Sequence, residues 1–179
     1  MTSAERIVLD ASAAIALLRA EPEAAAVARA VALAAGEGTI VVPDVFWFEV
    51  ENVLVRRHHW EAEAVVEAFR LLDELGIETA AVDRPLLLLA LEFMTAAGLT
   101  AYDAAYLALA ELEDATLITL DQDLSAAASS RAVDPGRYGT REGAAAYVSS
   151  SVAWARHGRY LAALRDRAAI GRDVVPVPR

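Results

Sequence analysis

The sequence predicts an α/β fold, a sandwich built on a mainly parallel sheet, and three observations predict it. Short apolar or β-branched runs of strand length recur at Arg6 to Leu9, Thr39 to Val42, Ile77 to Val82 and Ala115 to Leu120. Helical stretches, two per interval, separate them in the order β-α-α-β-α-α-β-α-α-β, the pattern of crossover-connected parallel strands. Helix punctuation falls where that order needs it, at Ser12, Asp83-Arg84-Pro85, Gly98 and Thr100.

Along the chain, Ser12 is expected to cap a helix over Ala13 to Leu18, and Pro22 to open an Ala-rich helix that stops at Gly36. A helix from Asp44 to about His59 precedes another from about Glu61 to Leu75, which ends at Gly76. The helix from Pro85 is apolar nearly all round, with Leu86 to Leu89 and Leu91, and so is expected in the deep core or at a dimer interface. The next helix, Ala101 to Glu111, follows the Thr100 cap. Trp47 and Phe48 read as core, and Tyr102 and Tyr106 as core and rim residues rather than base-stacking platforms. Arg141 to Arg156 and Tyr160 to Ile170 look like two further helices.

At 179 residues the chain has room for one compact domain. No apolar run reaches the roughly 18 residues that span a bilayer. The first residues do not resemble a signal peptide, and there is no cysteine. The expectation is a cytoplasmic protein with no membrane partner, no disulfide and no thiolate metal site. Three scattered histidines make a zinc site improbable, and no phosphate-binding glycine motif is present.

The net charge of −10 argues against a general nucleic-acid coat protein. Its distribution says more. Residues 1–124 carry 7 Arg against 22 acids, whereas residues 125–179 carry 9 Arg against 4 acids. An acidic body with a basic tail hints at a polyanion partner; the plainer reading is that the tail neutralises the body.

Four acids stand out. Asp10 and Asp121 each follow a hydrophobic strand, where an Asp is commonly a helix cap or turn former. Asp123 competes with Asp121, and is also placed to cap a short helix beginning at Leu124. Asp103 lies among Ala101, Tyr102, Ala104, Ala105 and Tyr106, a costly place for a carboxylate without a hydrogen bond, a proton or a cation. Glu49 and Glu51 diverge by about 200° on a helix, so only one can face a common site. Glu49 shares its face with Asn52. Acids arriving together from two strand ends and two helices need a cation between them. All-oxygen ligation suits Mg²⁺ or Mn²⁺, one or two ions.

Four segments in this order and spacing, V-L-D-A-S-A-A-I-A-L-L, P-D-V-F-W-F-E-V-E-N-V-L, L-T-A-Y-D-A-A-Y-L-A-L-A and L-I-T-L-D-Q-D-L, resemble those of PIN-domain ribonucleases. Within that family they are most similar to the VapC-type toxins of bacterial toxin–antitoxin systems. The resemblance spans about residues 5–124. It implies a PIN-like three-layer α/β/α sandwich with a four- or five-stranded sheet. It also implies Mg²⁺- or Mn²⁺-dependent endonucleolytic cleavage of RNA, leaving 5′-phosphate and 3′-hydroxyl ends. Metal carboxylates would then be Asp10, Glu49, Asp103 and Asp121, with Ser12, Asn52, Thr119 and Asp123 in supporting positions. Homodimers and a cognate antitoxin that blocks the site are further implications. Rival readings within the fold are a non-catalytic binding module, a housekeeping RNA-processing enzyme and a DNA nuclease.

One departure from that group is the long tail. Its members usually end soon after the last acid motif, with a short strand and helix, so the fifth strand is in question here. The expectation is a nuclease domain over 1–124 and a basic, helical extension over 125–179. Arg131, Arg137, Arg141, Arg156 and Arg159 could bind RNA phosphates. Alternatively Trp154, Tyr160 and Leu164 pack a helix on the domain and leave the arginines solvated.

Overall fold

The computed structural model describes residues 6–34, 38–129 and 131–133. The chain runs β1 (Arg6–Leu9), α1 (Ala11–Leu18), α2 (Ala24–Ala34), β2 (Thr39–Pro43), α3 (Val45–Arg56), α4 (Ala62–Asp73) and β3 (Glu78–Ala80). It continues with α5 (Arg84–Ala97), α6 (Ala101–Leu112), β4 (Thr116–Ile118), α7 (Gln122–Ala128) and β5 (Ala132–Val133). All strand pairings are parallel and the sheet order is β3-β2-β1-β4-β5. The expected α/β class is therefore observed, and the fifth strand is present, paired to β4 through Leu117 and Ile118.

This order has one reversal. From β1 the chain steps outward to β2 and β3, then returns to the other side of β1 for β4 and β5. Right-handed crossovers put α1 to α4 on one face and α5 to α7 on the other. Helix packing follows that division: α1 meets α2 and α3, α3 meets α4, and α6 meets α5 and α7. The reversal opens a crevice at the carboxyl ends of β1 and β4, where open parallel sheets bind ligands.

Parallel strands covered on both faces read as continuous apolar runs, and Ile7, Val8, Leu9, Leu117 and Ile118 are fully buried. Helix α6 crosses β1, β2 and β4, which buries its run from Ala104 to Ala110. The helix ends obey local chemistry. Asp83 caps α5 by accepting the Leu86 N–H at 3.1 Å, and Gly98 closes it in the left-handed conformation at φ 70°. Helix α3 ends at Arg56 rather than His59, because His59 takes a left-handed φ of 55° that a helix cannot continue.

Several expectations are corrected. Asp10, not Ser12, caps α1, so that helix starts at Ala11. Asp121, not Asp123, caps α7 by accepting the Leu124 N–H at 2.8 Å. Helix α7 runs across residue 124 and leads into β5, so the folded domain continues to Val133. Helix α5 buries only one side: Leu86 and Ala90 face inward, while Leu87, Leu88 and Leu91 are exposed. Phe48 is exposed too; the aromatic core on α3 is Phe46, which packs edge-on to Trp47, itself edge-on to Phe69. The helices expected at Arg141 to Arg156 and Tyr160 to Ile170 lie outside the described residues. Among the described residues no single helix is long and apolar enough to cross a membrane.

Phe46 is 0% and Phe48 72% exposed, one helical half-turn apart. Phe46→Ala should lower unfolding free energy by about 3–5 kcal/mol, whereas Phe48→Ala should change it by about 0.5 kcal/mol or less. Urea denaturation of both variants measures the contrast, and similar losses would mean α3 sits in the other phase.

Candidate functional site

Asp10 is the first residue after β1, 2% exposed, with its N–H bound to the Ile118 carbonyl of β4 at 3.0 Å. Its side chain is held through one oxygen. Oδ2 accepts the Thr119 hydroxyl at 2.8 Å, the Ser12 hydroxyl, and the Ser12 N–H at 3.3 Å. Those hydroxyls in turn accept the next loop: Ser12 Oγ takes the Leu120 N–H at 3.0 Å and Thr119 Oγ1 takes the Asp121 N–H at 2.9 Å. Two chains of amide, hydroxyl and carboxylate thus fasten the segment that carries Asp121 to Asp10. The expected supporting roles of Ser12 and Thr119 correspond to these contacts.

The other acids approach from the helices. Glu49, half-buried in the second turn of α3, accepts the Tyr106 hydroxyl at 2.8 Å on Oε2. Glu51 is exposed, as the helical phase required. Asp103 is not in a helix interior: it is the third residue of α6, where a carboxylate suits the helix dipole. There it exchanges bonds with the Thr100 cap, accepting the hydroxyl at 2.6 Å and donating its N–H to it at 3.2 Å. Part of the reason for an acid in that apolar stretch is therefore capping. Asp121, exposed, caps α7 through Oδ1.

These four acids share one electrostatic environment. Burial is the largest cause pushing the Glu49 carboxyl up to about 7, and the charges of Asp10, Asp103 and Asp121 add to it. Burial likewise raises Asp10, with Asp103 adding to the rise against the three hydrogen bonds that lower it. Burial and the Glu49 charge push the Tyr106 hydroxyl up, so it is a donor at any working pH. Cations collect elsewhere. Arg6 pairs with Glu113 and, at 3.9 Å, with Glu78, where the strands begin. Arg131 binds Glu111 at 2.6 Å and Asp114 at 3.0 Å at the same edge. Among the described residues no ion pair involves the four acids.

Among the described residues each of the four carboxylates accepts hydrogen bonds through one oxygen only. Asp10 Oδ2, Glu49 Oε2, Asp103 Oδ2 and Asp121 Oδ1 accept hydrogen bonds, and among the described residues none reaches Asp10 Oδ1, Glu49 Oε1, Asp103 Oδ1 or Asp121 Oδ2. Four free carboxylate oxygens with no internal cation fit a hard divalent ion. The side chains stand further apart than one ion's ligands, however: no group of three acids at metal-holding separation occurs among the described residues.

The remaining expected residues stand apart. Asn52 and Asp123 are exposed and take no part in the network. Arg131 is engaged at the opposite edge of the sheet, and Arg137, Arg141, Arg156 and Arg159 lie outside the described residues. Tyr106 joins the site through Glu49, although its helical spacing marked it only as a core or rim residue.

A parallel α/β sandwich with acids brought to the carboxyl ends of β1 and β4 is the class of protein the structure defines, and the comparisons make the class specific. The PIN domain family model matches residues 7–129. The chain belongs to the PIN domain family. Solved structures agree in fold. A toxin–antitoxin complex from Klebsiella pneumoniae matches at 21% identity and TM-score 0.54, covering 72% of this chain and 97% of that one. A protein from Pyrobaculum aerophilum matches at 25% identity and TM-score 0.54, covering 75% and 87%. VapC20 of Mycobacterium tuberculosis, a Sarcin-Ricin loop cleaving toxin, matches at 21% and TM-score 0.56, covering 68% and 94%. No curated protein sequence matches the chain.

The Glu49 shift carries a sign. A carboxyl raised to about 7 holds its proton more tightly folded than unfolded. Its stabilising contribution is complete below its unfolded pKa of about 4.3 and is lost as pH rises through about 7. Metal-free wild type should therefore lose stability relative to Glu49→Gln across that window, with Asp10 adding the same sign in both proteins. Thermal melts in EDTA at several pH values test this; a pH-independent difference would contradict it.

Proposed function

We propose that the chain is a divalent-metal-dependent endoribonuclease and the toxin of a type II toxin–antitoxin pair. The observation that carries the chemistry is the set of four carboxylates, each with one oxygen free, at the β1–β4 crevice of a PIN domain. RNA and toxin function are carried over from the named relatives, one of which cleaves the Sarcin-Ricin loop and one of which is a toxin–antitoxin complex.

Asp10, Glu49, Asp103 and Asp121 would hold Mg²⁺ or Mn²⁺, and these ions supply an activated water and charge stabilisation at phosphorus and at the leaving oxygen. The chain's own part is to fix where that chemistry occurs. The Ser12 and Thr119 hydroxyls hold Asp10 and the Asp121 backbone in register. The starts of α1 and α6 place Asp10 and Asp103 at the site, each held by a capping contact. With no ion pair to the four acids among the described residues, ligand charge has to be balanced before a phosphate chain can approach. Arginines of the tail, Arg137, Arg141, Arg156 and Arg159, supply phosphate contacts in this reading. An antitoxin segment would close the same acidic crevice with cationic side chains.

The exposed leucines of α5 suit a second copy of the chain. Leu87, Leu88 and Leu91 are 53–55% exposed on one face. Leu87→Glu with Leu91→Glu should convert a dimer to a monomer by light scattering; a wild type that is monomeric at high concentration rules the dimer out.

The direct test is cleavage of total RNA in Mg²⁺, Mn²⁺ or EDTA. Asp103→Asn can still accept the Thr100 hydroxyl, so α6 should stay capped. It should lower metal-dependent cleavage by about 100-fold or more, since even indirect changes at metal sites cost 10–100-fold. Full cleavage by this variant, or by wild type in EDTA, refutes the proposal.

A further inference from the structure

Tyr106 is the one large polar side chain of α6 that is completely buried. Its place in the helix, three residues after Asp103, sets it on nearly the same face one turn further in. The hydroxyl joins α6 to α3. It donates to Glu49 Oε2 on α3 at 2.8 Å.

The consequence falls on Glu49. Its carboxylate is a long side chain with three rotatable bonds, arriving at the site from a helix on the other face of the sheet from Asp103. Among the described residues Tyr106 is the only group that hydrogen-bonds it. Occupying Oε2 leaves Oε1 as the oxygen available to the other three acids. Phenylalanine at 106 would fill the same volume and leave Glu49 free to rotate.

Resting on the metal reading given above, we infer that Tyr106 is a positioning residue, tying α6 to Glu49 so that one Glu49 oxygen is presented to the cation held by Asp10, Asp103 and Asp121. It touches neither substrate nor metal in this role and acts through Glu49.

The test is a double-mutant cycle on Mn²⁺ binding to the full chain, measured by titration calorimetry with Mn²⁺ as the only probe. Tyr106→Phe should weaken Mn²⁺ binding on the order of 10-fold, as loss of a group orienting a metal ligand does. Glu49→Gln should also weaken it, and Tyr106→Phe added to Glu49→Gln should cause no further loss. Thermal melts of the metal-free proteins accompany each titration. Equal losses in both backgrounds would show that Tyr106 acts independently of Glu49 and overturn the inference. So would Tyr106→Phe binding Mn²⁺ like wild type, or failing to fold, which would assign the hydroxyl to the core. A wild type that binds no Mn²⁺ overturns the metal reading itself, and this inference with it. Wild-type binding with an unaffected Tyr106→Phe overturns the positioning role alone.

Discussion

The structure depends on how one buried carboxylate is satisfied. Asp10 ends the central strand, and burial of its charge would be costly without partners. The partners are two hydroxyls, Ser12 and Thr119, which serve a second purpose by accepting the amides of Leu120 and Asp121. One oxygen of Asp10 therefore anchors the start of α1 and the loop from β4 to α7 together. The crevice is kept in shape by the same bonds that make Asp10 tolerable there.

A second constraint is the segregation of charge. The strands of a parallel sheet all end at one edge, so residues that follow strands collect there and residues that precede them collect opposite. Arg6 opens β1 and Arg131 precedes β5, and both find acidic partners at the far edge. Asp10 and Asp121 follow strands, and Asp103 opens a helix. Glu49 shows the cost: burial first, and then the charges of Asp10, Asp103 and Asp121, push its carboxyl up to about 7.

Much of this was legible in the chain. Apolar runs ending at Asp10 and near Asp121, and the Asp83 and Gly98 boundaries of α5, are local signals that tertiary packing did not override. The phase of α3 separated Glu49 from Glu51 because a helix cannot aim both at one site. Readings that needed a face to be covered were less secure. Leu87, Leu88 and Leu91 read as deep core or dimer interface, and the first alternative is excluded: only Leu86 and Ala90 turn inward, because α5 has a single packing partner of any extent, α6. Phe48 read as core for the same reason and is solvent-facing. Capping assignments slipped by two residues at Ser12 and Asp123, since several short polar side chains in a row can cap and only backbone geometry chooses among them.

The sequence by itself determined the class of fold, the order of its elements and the identity of the acids, because hydrophobic period and the residues ending each run are local properties. Only the tertiary structure decided that β4 returns beside β1, which sets Asp121 against Asp10 rather than at a remote edge. It also decided which oxygen of each acid is spent inside the protein, and that a tyrosine from one layer fixes a glutamate from another. Those facts depend on distances between residues 57 to 109 positions apart in the chain, and no local pattern encodes them.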